Sequence, residues 1–335
     1  MTAPLLIGVD VGGTKVAGIA VMGSDVVAEL RRPLHDGDLA GQVIAVVRDL
    51  AERGETSPAA IGIAAPGQID AERGVIELAV NLGVRDLAIG ALVADALGVP
   101  TAVEHDARAV ARWLADDDPA GRSLAYVSVG TGISAGVAVD GTVLRGAAGL
   151  AGEIGHLVAD PAGDRCACGL VGCLETVASG PAVSRSARRA IAEGRPSALP
   201  PSPTSEDVYR AAGEGDPLAG IVVEHAAIHL AAALRGLALA YGVGRIVIGG
   251  GVAHAGRAFA DPLLAAVARE RAISPLVARA LDADAIEVIN DGRPIGALGA
   301  VALARRLIAG AAVPADVPYA RSNQPAEAGG EVGTR

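Results

Sequence analysis

Thirteen residues near the start of the chain recur without a gap 118 positions later. Val9-Asp10-Val11-Gly12-Gly13-Thr14-Lys15-Val16-Ala17-Gly18-Ile19-Ala20-Val21 lies over Val127-Ser128-Val129-Gly130-Thr131-Gly132-Ile133-Ser134-Ala135-Gly136-Val137-Ala138-Val139. Each copy reads as a β-branched strand, a glycine turn and a second strand. The period is far longer than a solenoid unit, so the pattern predicts a duplicated domain of two related lobes. A glycine turn exposes backbone N–H groups that can hold a phosphate. Two lobes, each offering one such turn, could grip a polyphosphate from opposite sides. Glycine is common in β-hairpins, so either turn alone would be weak evidence; the gapless match carries the reading.

A second stretch, from Glu153 to Glu175, holds all three cysteines of the chain together with His156. Cys166 and Cys168 stand one residue apart, too close for an ordinary disulfide, and an odd cysteine count argues against a disulfide framework. Three thiolates and one imidazole instead make a closed tetrahedral set for a structural Zn²⁺, with His156, Cys166, Cys168 and Cys173 as ligands. Glu153 and Glu175 flank the loop.

The chain has 335 residues, 51% of them hydrophobic and only 2% aromatic, so its core must be built from Ala, Val, Leu and Ile. The net charge is −10 and the arginines are scattered, which argues against a nucleic-acid partner. The N-terminus enters a strand without a charged region or cleavage site. The Ala/Leu-rich run Ile228 to Tyr241 is interrupted by Arg235, so no membrane span is expected. These features predict a cytoplasmic protein whose thiols stay reduced and free for metal.

Along the chain, helical spacing runs from Leu39 to Arg53, and Ala60 to Ala65 is a short buried strand closed by Pro66-Gly67-Gln68. Asn81 precedes a helix expected from about Asp86 to Leu97. The strand Thr101 to Val103 ends in Glu104-His105-Asp106, ahead of a helix from Ala107 to Leu114. Asp106 therefore stands at the carboxyl end of a strand, where open α/β sheets bind ligands, and it is also a good helix N-cap. Asp116 to Pro119 reads as a solvated loop between lobes. Further helices are expected over 180–192, 205–213 and 217–241. Gly249-Gly250-Gly251 then follows the strand Arg245 to Ile248, a turn against which a flat ring or phosphate can lie. A strand at 286–289 and a closing helix at 294–308 complete the order. The aperiodic 309–335 reads as a disordered tail.

With these motifs in place the chain resembles the ROK sugar kinases and repressors, from Leu5 to about Ile308. The resemblance rests on Asp10 to Lys15, Gly130-Thr131-Gly132, Glu153-Ile154-Gly155-His156 and Gly172-Cys173-Leu174-Glu175. It implies an α/β fold of the duplicated actin-like, ribonuclease H-like kind, with a central cleft between two lobes. One lobe would be 1–115, joined by the returning helix 294–308; the other, 120–293, would carry the zinc loop. It further implies phosphate contacts from Asp10, Gly12, Gly13, Thr14, Lys15, Gly130, Thr131 and Gly132, an adenosine-side turn at Gly249, Gly250 and Gly251, and Asp106 as catalytic base. Sugar contacts would come from Gly67, Asn81, His105, Asp106, Glu153, His156 and Glu175. A homodimer is implied as well. One departure stands out: the family has Asn before the catalytic Asp, and here the residue is His105.

The function these features imply is transfer of the γ-phosphate of ATP, with Mg²⁺, to the 6-hydroxyl of a hexose or N-acetylhexosamine. A sugar-sensing repressor is the alternative. The acidic charge and the early start of the first strand weigh against it.

Overall fold

The computed structural model describes residues 3–118 and 120–310. Its first half runs β1 (Leu5–Val11), β2 (Lys15–Met22), β3 (Asp25–Pro33), α1 (Leu39–Arg53), β4 (Ala60–Ala65), β5 (Gln68–Asp70), β6 (Val75–Ala79), β7 (Val84–Leu87), α2 (Ile89–Leu97), β8 (Thr101–His105) and α3 (Asp106–Asp116). The second half runs β9 (Leu124–Val129), β10 (Ile133–Val139), β11 (Thr142–Val143), α4 (Glu175–Ala178), α5 (Gly180–Ala192), α6 (Ser205–Gly213), α7 (Pro217–Tyr241), β12 (Arg245–Gly249), α8 (Arg257–Ile273), α9 (Pro275–Ala280), β13 (Ile286–Val288) and α10 (Ile295–Ile308).

The duplication is visible in the sheets. One has the order β3-β2-β1-β4-β8 and the other β11-β10-β9-β12-β13. In each, an antiparallel hairpin leads and parallel strands extend the central one. The register of the two hairpins nevertheless differs by one residue: Val11 pairs with Val16, whereas Val129 pairs with Ile133. The first turn therefore has four residues and the second three, which the ungapped sequence match conceals.

Two helices cross between the sheets, and missing Cβ atoms are what let them approach. On α10, Ala297 O lies 2.2 Å from where a Cβ of Gly8 would sit, and Ala300 O lies 1.8 Å from that of Gly62, so α10 rests directly on β1 and β4. A Cβ on Gly136 of β10 would meet Ala107 O of α3 at 2.2 Å, and one on Gly299 would meet Ala109 of α3. The closing helix thus returns to the first sheet, while α3 packs its Val110, Ala111 and Leu114 with Leu124, Tyr126 and Val247 of the second.

Two expectations need correcting, and a third needs its reason restated. Val84–Leu87 is a strand in the small sheet β5-β6-β7, and Asp86 has a φ of 52°, which no right-handed helix accepts; the helix starts at Ile89. Asp116 closes α3, and Asp118 is buried against Arg122 at 3.0 Å, so this is not a wholly solvated loop. Finally, α7 has the length and mean hydropathy, 1.5, of a membrane span despite Arg235, so it is its packing and not that charge that accounts for it. Its Leu218, Val222, Leu230, Leu234 and Leu237 are buried in the second lobe's core, which makes it the central helix of that core. The expected tail falls on 311–335, outside the described residues.

Candidate active site

The site lies at the carboxyl ends of β1, β8, β9 and β12, which carry Asp10, Asp106, the Gly130 turn and the Gly249 turn. The chain leaves β8 with His105 extended (φ −60°, ψ 138°) and enters α3 at Asp106. Asp106 Oδ1 accepts from Ala107 N at 2.6 Å, so the carboxylate sits on the helix N-terminus, where its charge is favoured. Because α3 rests on β10 through Gly136, Asp106 is carried toward the second lobe.

Asp10 faces the same space. Burial, with the Asp106 charge added and Lys15 opposing, pushes its carboxyl up to about 7. Its oxygens lie over Gly296, where a Cβ would come within 2.3 Å, at the start of α10. On the far side Tyr126 is buried beneath the Gly249 turn; that burial and the charges of Asp106 and Asp10 drive its hydroxyl well above the ordinary phenol range.

His105 is buried between two carboxylates, Nδ1 at 3.2 Å from Asp106 Oδ1 and Nε2 at 3.6 Å from Glu153 Oε1. Glu153 and His156 are held there by loop backbone laid against β10. A Cβ on Gly152 would meet Ala135 O at 1.8 Å, and one on Gly155 would meet Ile133 O at 2.2 Å. Glu175, at the head of α4, turns to the second glycine turn instead. Its Oε2 accepts from Ile133 N at 3.1 Å and would lie 2.6 Å from a Cβ on Gly132. One of its oxygens is therefore committed to backbone. That turn also abuts the triple glycine: Gly180 N donates to Gly130 O, and a Cβ on Gly130 would approach Gly251 N at 3.6 Å. Gly67, with φ 98°, makes the turn after β4, and Asn81 stands exposed on the turn Val80–Leu82. Among the described residues no hydrogen bond or ion pair joins either to Asp106.

The cysteines and His156 come together as one cluster. His156, Cys166, Cys168 and Cys173 place one ligand atom each within 4.8 Å of all the others. Cys166 Sγ to His156 Nδ1 and Cys168 Sγ to Cys173 Sγ are both 3.6 Å. Tetrahedral ligands at 2.0–2.3 Å from zinc stand about 3.3–3.8 Å apart, so the cluster is compatible with a structural zinc. The thiols also oppose one another electrostatically. Burial and its two neighbours push Cys173 up to about 12, while the Leu170 backbone holds Cys168 low. A cation among them relieves that conflict. The loop is tied to α5 by Asp164, which accepts from Arg185 and Arg189 at 3.3 and 2.9 Å.

Sequence reasoning missed one element, the support beneath Asp106. Glu104 is 1% exposed and accepts from Arg108 Nε at 2.8 Å, Arg145 Nε at 2.6 Å and His105 N at 2.7 Å. Arg108, wholly buried, reaches on to the carbonyls of Gly149 and Ala151. The i, i+4 spacing of Glu104 and Arg108 was a legible signal; the approach of Arg145 was not.

The ROK family model matches residues 6–307. The chain belongs to the ROK family. A glucokinase of Halalkalibacterium halodurans is 34% identical over 77% of this chain and 83% of its own length, and an N-acetylmannosamine kinase of Citrobacter koseri is 30% identical over 89% and 97%. The crystal structure of a ROK family glucokinase from Streptomyces griseus in complex with glucose and AMPPNP superposes with a TM-score of 0.74. It is 27% identical and covers 90% of this chain and 99% of that one. The neighbouring ROK sugar kinases share the actin-like two-domain fold, and the repeated sheet order of this ROK chain accords with it.

Proposed function

We propose that this ROK protein is a sugar kinase that moves the γ-phosphate of ATP to the 6-hydroxyl of a hexose or N-acetylhexosamine, with Asp106 as general base. The observation that carries the reading is that Asp106 lies close enough to the buried Asp10 for its charge to raise that carboxyl, with a glycine turn following each of β1 and β9. A pure sugar binder needs neither turn. The division into lobes 1–115 with 294–308, and 120–293, is part of the same proposal, as is a homodimer, which light scattering would check.

Asp106 would take the hydroxyl proton as the oxygen attacks phosphorus. Backbone N–H groups of Gly12 to Lys15 and Gly130 to Gly132 would offset charge on the phosphates, with Gly249 to Gly251 lying against the nucleoside. Glu153, His156 and the remaining oxygen of Glu175 would read sugar hydroxyls. His105, whose ring lies between Asp106 and Glu153 with Nδ1 lacking a hydrogen-bond partner, would stand beside the sugar. Mg²⁺ bound with ATP would be held through Asp10, beside the charge of Asp106; it would supply charge neutralisation of the polyphosphate. A structural Zn²⁺ on His156, Cys166, Cys168 and Cys173 would fix the recognition loop. Since His156 turns Nδ1 to the cysteines, Nε2 is the nitrogen left for the sugar.

The test is Asp106→Asn, assayed for ADP release over a panel of hexoses and N-acetylhexosamines. Turnover should fall by at least about a hundredfold while sugar binding persists. Near-normal turnover would remove Asp106 from the mechanism, and the panel itself reports the sugar.

A further inference from the structure

Outside the active site and the cysteine cluster, α7 carries His225 and His229 one helical turn apart, so both rings stand on one face. His225 is exposed and His229 half-buried, with ring centroids 4.7 Å apart and planes at 69°. An imidazole centroid stands about 3.2 Å from a metal bound through its nitrogen, so two rings at 4.7 Å subtend about 95° at a shared ion. That angle lies between the square-planar and tetrahedral values that imidazole-bound transition metals adopt. The cysteine loop meets this pair. The Ala159 backbone is hydrogen-bonded to the His229 ring, and Asp160 lies close enough for its charge to act on it. Ala159 N in turn donates to Gly172 O at 2.7 Å, which fixes that stretch of the loop. A carbonyl that takes one ring N–H leaves the lone pair on the other nitrogen, the arrangement that metal-bound histidines use. Burial, then the neighbouring His225, outweigh Ala159 and Asp160 and hold His229 below its ordinary 6.5, which keeps the ring neutral at pH 7. Glu224, the acid beside His225, is engaged by Arg269 at 2.9 Å, which leaves the two imidazoles as the donors.

We propose that His225 and His229 form a further metal site, a two-imidazole chelate for a borderline divalent transition-metal cation such as Zn²⁺ or Ni²⁺, with water in the remaining positions. Two nitrogen donors suit such ions, whereas Mg²⁺ and Ca²⁺ take oxygen. Because His229 also meets Ala159, an ion here would tie α7 to the loop that follows His156, and so would stiffen the second lobe at that contact.

The test is calorimetric titration of the untagged full chain with Ni²⁺ alone, after loading with Zn²⁺ and desalting to free it of excess. Ni²⁺ should bind, and His225→Ala and, separately, His229→Asn should each weaken that binding at least tenfold. Ni²⁺ should also raise the melting temperature of the wild type and of neither variant. His225 is exposed, so its substitution spares the core, as circular dichroism would verify, and it carries the test if His229→Asn folds poorly. Nickel on the cysteines would show thiolate charge-transfer absorption and would survive His225→Ala, which tells the two sites apart. The proposal fails if Ni²⁺ does not bind, if its affinity is unchanged in folded His225→Ala, or if all the bound nickel shows thiolate absorption.

Discussion

Replacing Glu104 by Gln removes one negative charge from beneath the buried Arg108 and the partly buried Arg145 while keeping the shape of the side chain. Glu104 and Arg108 are 1% and 0% exposed, and the Arg145 side chain is 15% exposed, so water cannot take over the lost partner. Breaking a buried pair in this way costs roughly 3–5 kcal/mol. Gln retains one carbonyl acceptor, which puts the expected loss near the lower end, about 3 kcal/mol. Urea denaturation at pH 7 measures it. The exposed Arg31–Glu29 pair, with side chains 51% and 44% exposed, is the internal control, and Arg31→Ala should cost no more than about 1 kcal/mol. The pH dependence has a definite sign. Burial alone would raise the Glu104 carboxyl, but Arg108 and Arg145 outweigh it and hold the group below its ordinary 4.5. A lowered carboxyl stabilises the fold above the unfolded value and loses that contribution as pH falls through the folded one. The gap between wild type and Glu104→Gln should therefore be full above pH 4.5 and close only in more acid solution. A loss under about 1 kcal/mol at pH 7, or a gap that persists unchanged in acid, would refute a charge-based role for the pair.

Other outcomes follow from the same geometry. Asp10 is raised from 3.8 to about 7, so its contribution to stability is complete below 3.8 and is lost as pH rises through 7; Asp10→Asn should be the more heat-stable protein at pH 8, while turnover falls. Metal analysis of unchelated protein should find about one zinc per chain, and Cys173→Ser should abolish that stoichiometry and lower the melting temperature. Gly62→Ala would drive a Cβ to within 1.8 Å of Ala300 O, so it should cost several kcal/mol by unseating α10, on the order of other severe overpacking; denaturant midpoints would show it. His105→Asn should keep the protein folded yet change the relative kcat/KM values over the sugar panel, since a shorter amide replaces the ring that lies within 3.2 Å of Asp106 and 3.6 Å of Glu153.

What could be read in the sequence was local. Helical periodicity gave α1, α5, α6 and α7 their bounds, because an amphipathic face and its caps repeat within a few residues; Ser179, Thr204 and Asp216 each cap as their types prefer. The glycine turns announced themselves by repetition, and the cysteine loop by spacing. Strand β3 escaped notice because it is an edge strand with mostly exposed residues, and β5 to β7 because they are too short for alternation to register. Asp86 misled because a left-handed residue cannot be recognised from its side chain alone.

Tertiary structure alone decided which distant residues meet. The chain by itself determined two glycine-turn hairpins, a cluster of three cysteines and a histidine, and an acid at the end of a strand. Only folding set Arg145 beside Glu104, 41 residues apart, turned Glu175 onto the Gly132 turn, and crossed α10 over α3 at Gly299. Local pattern records what a segment must bury. Long-range partnership depends on how closely two backbones approach, and here that is set by single hydrogen atoms on Gly8, Gly62, Gly136 and Gly299.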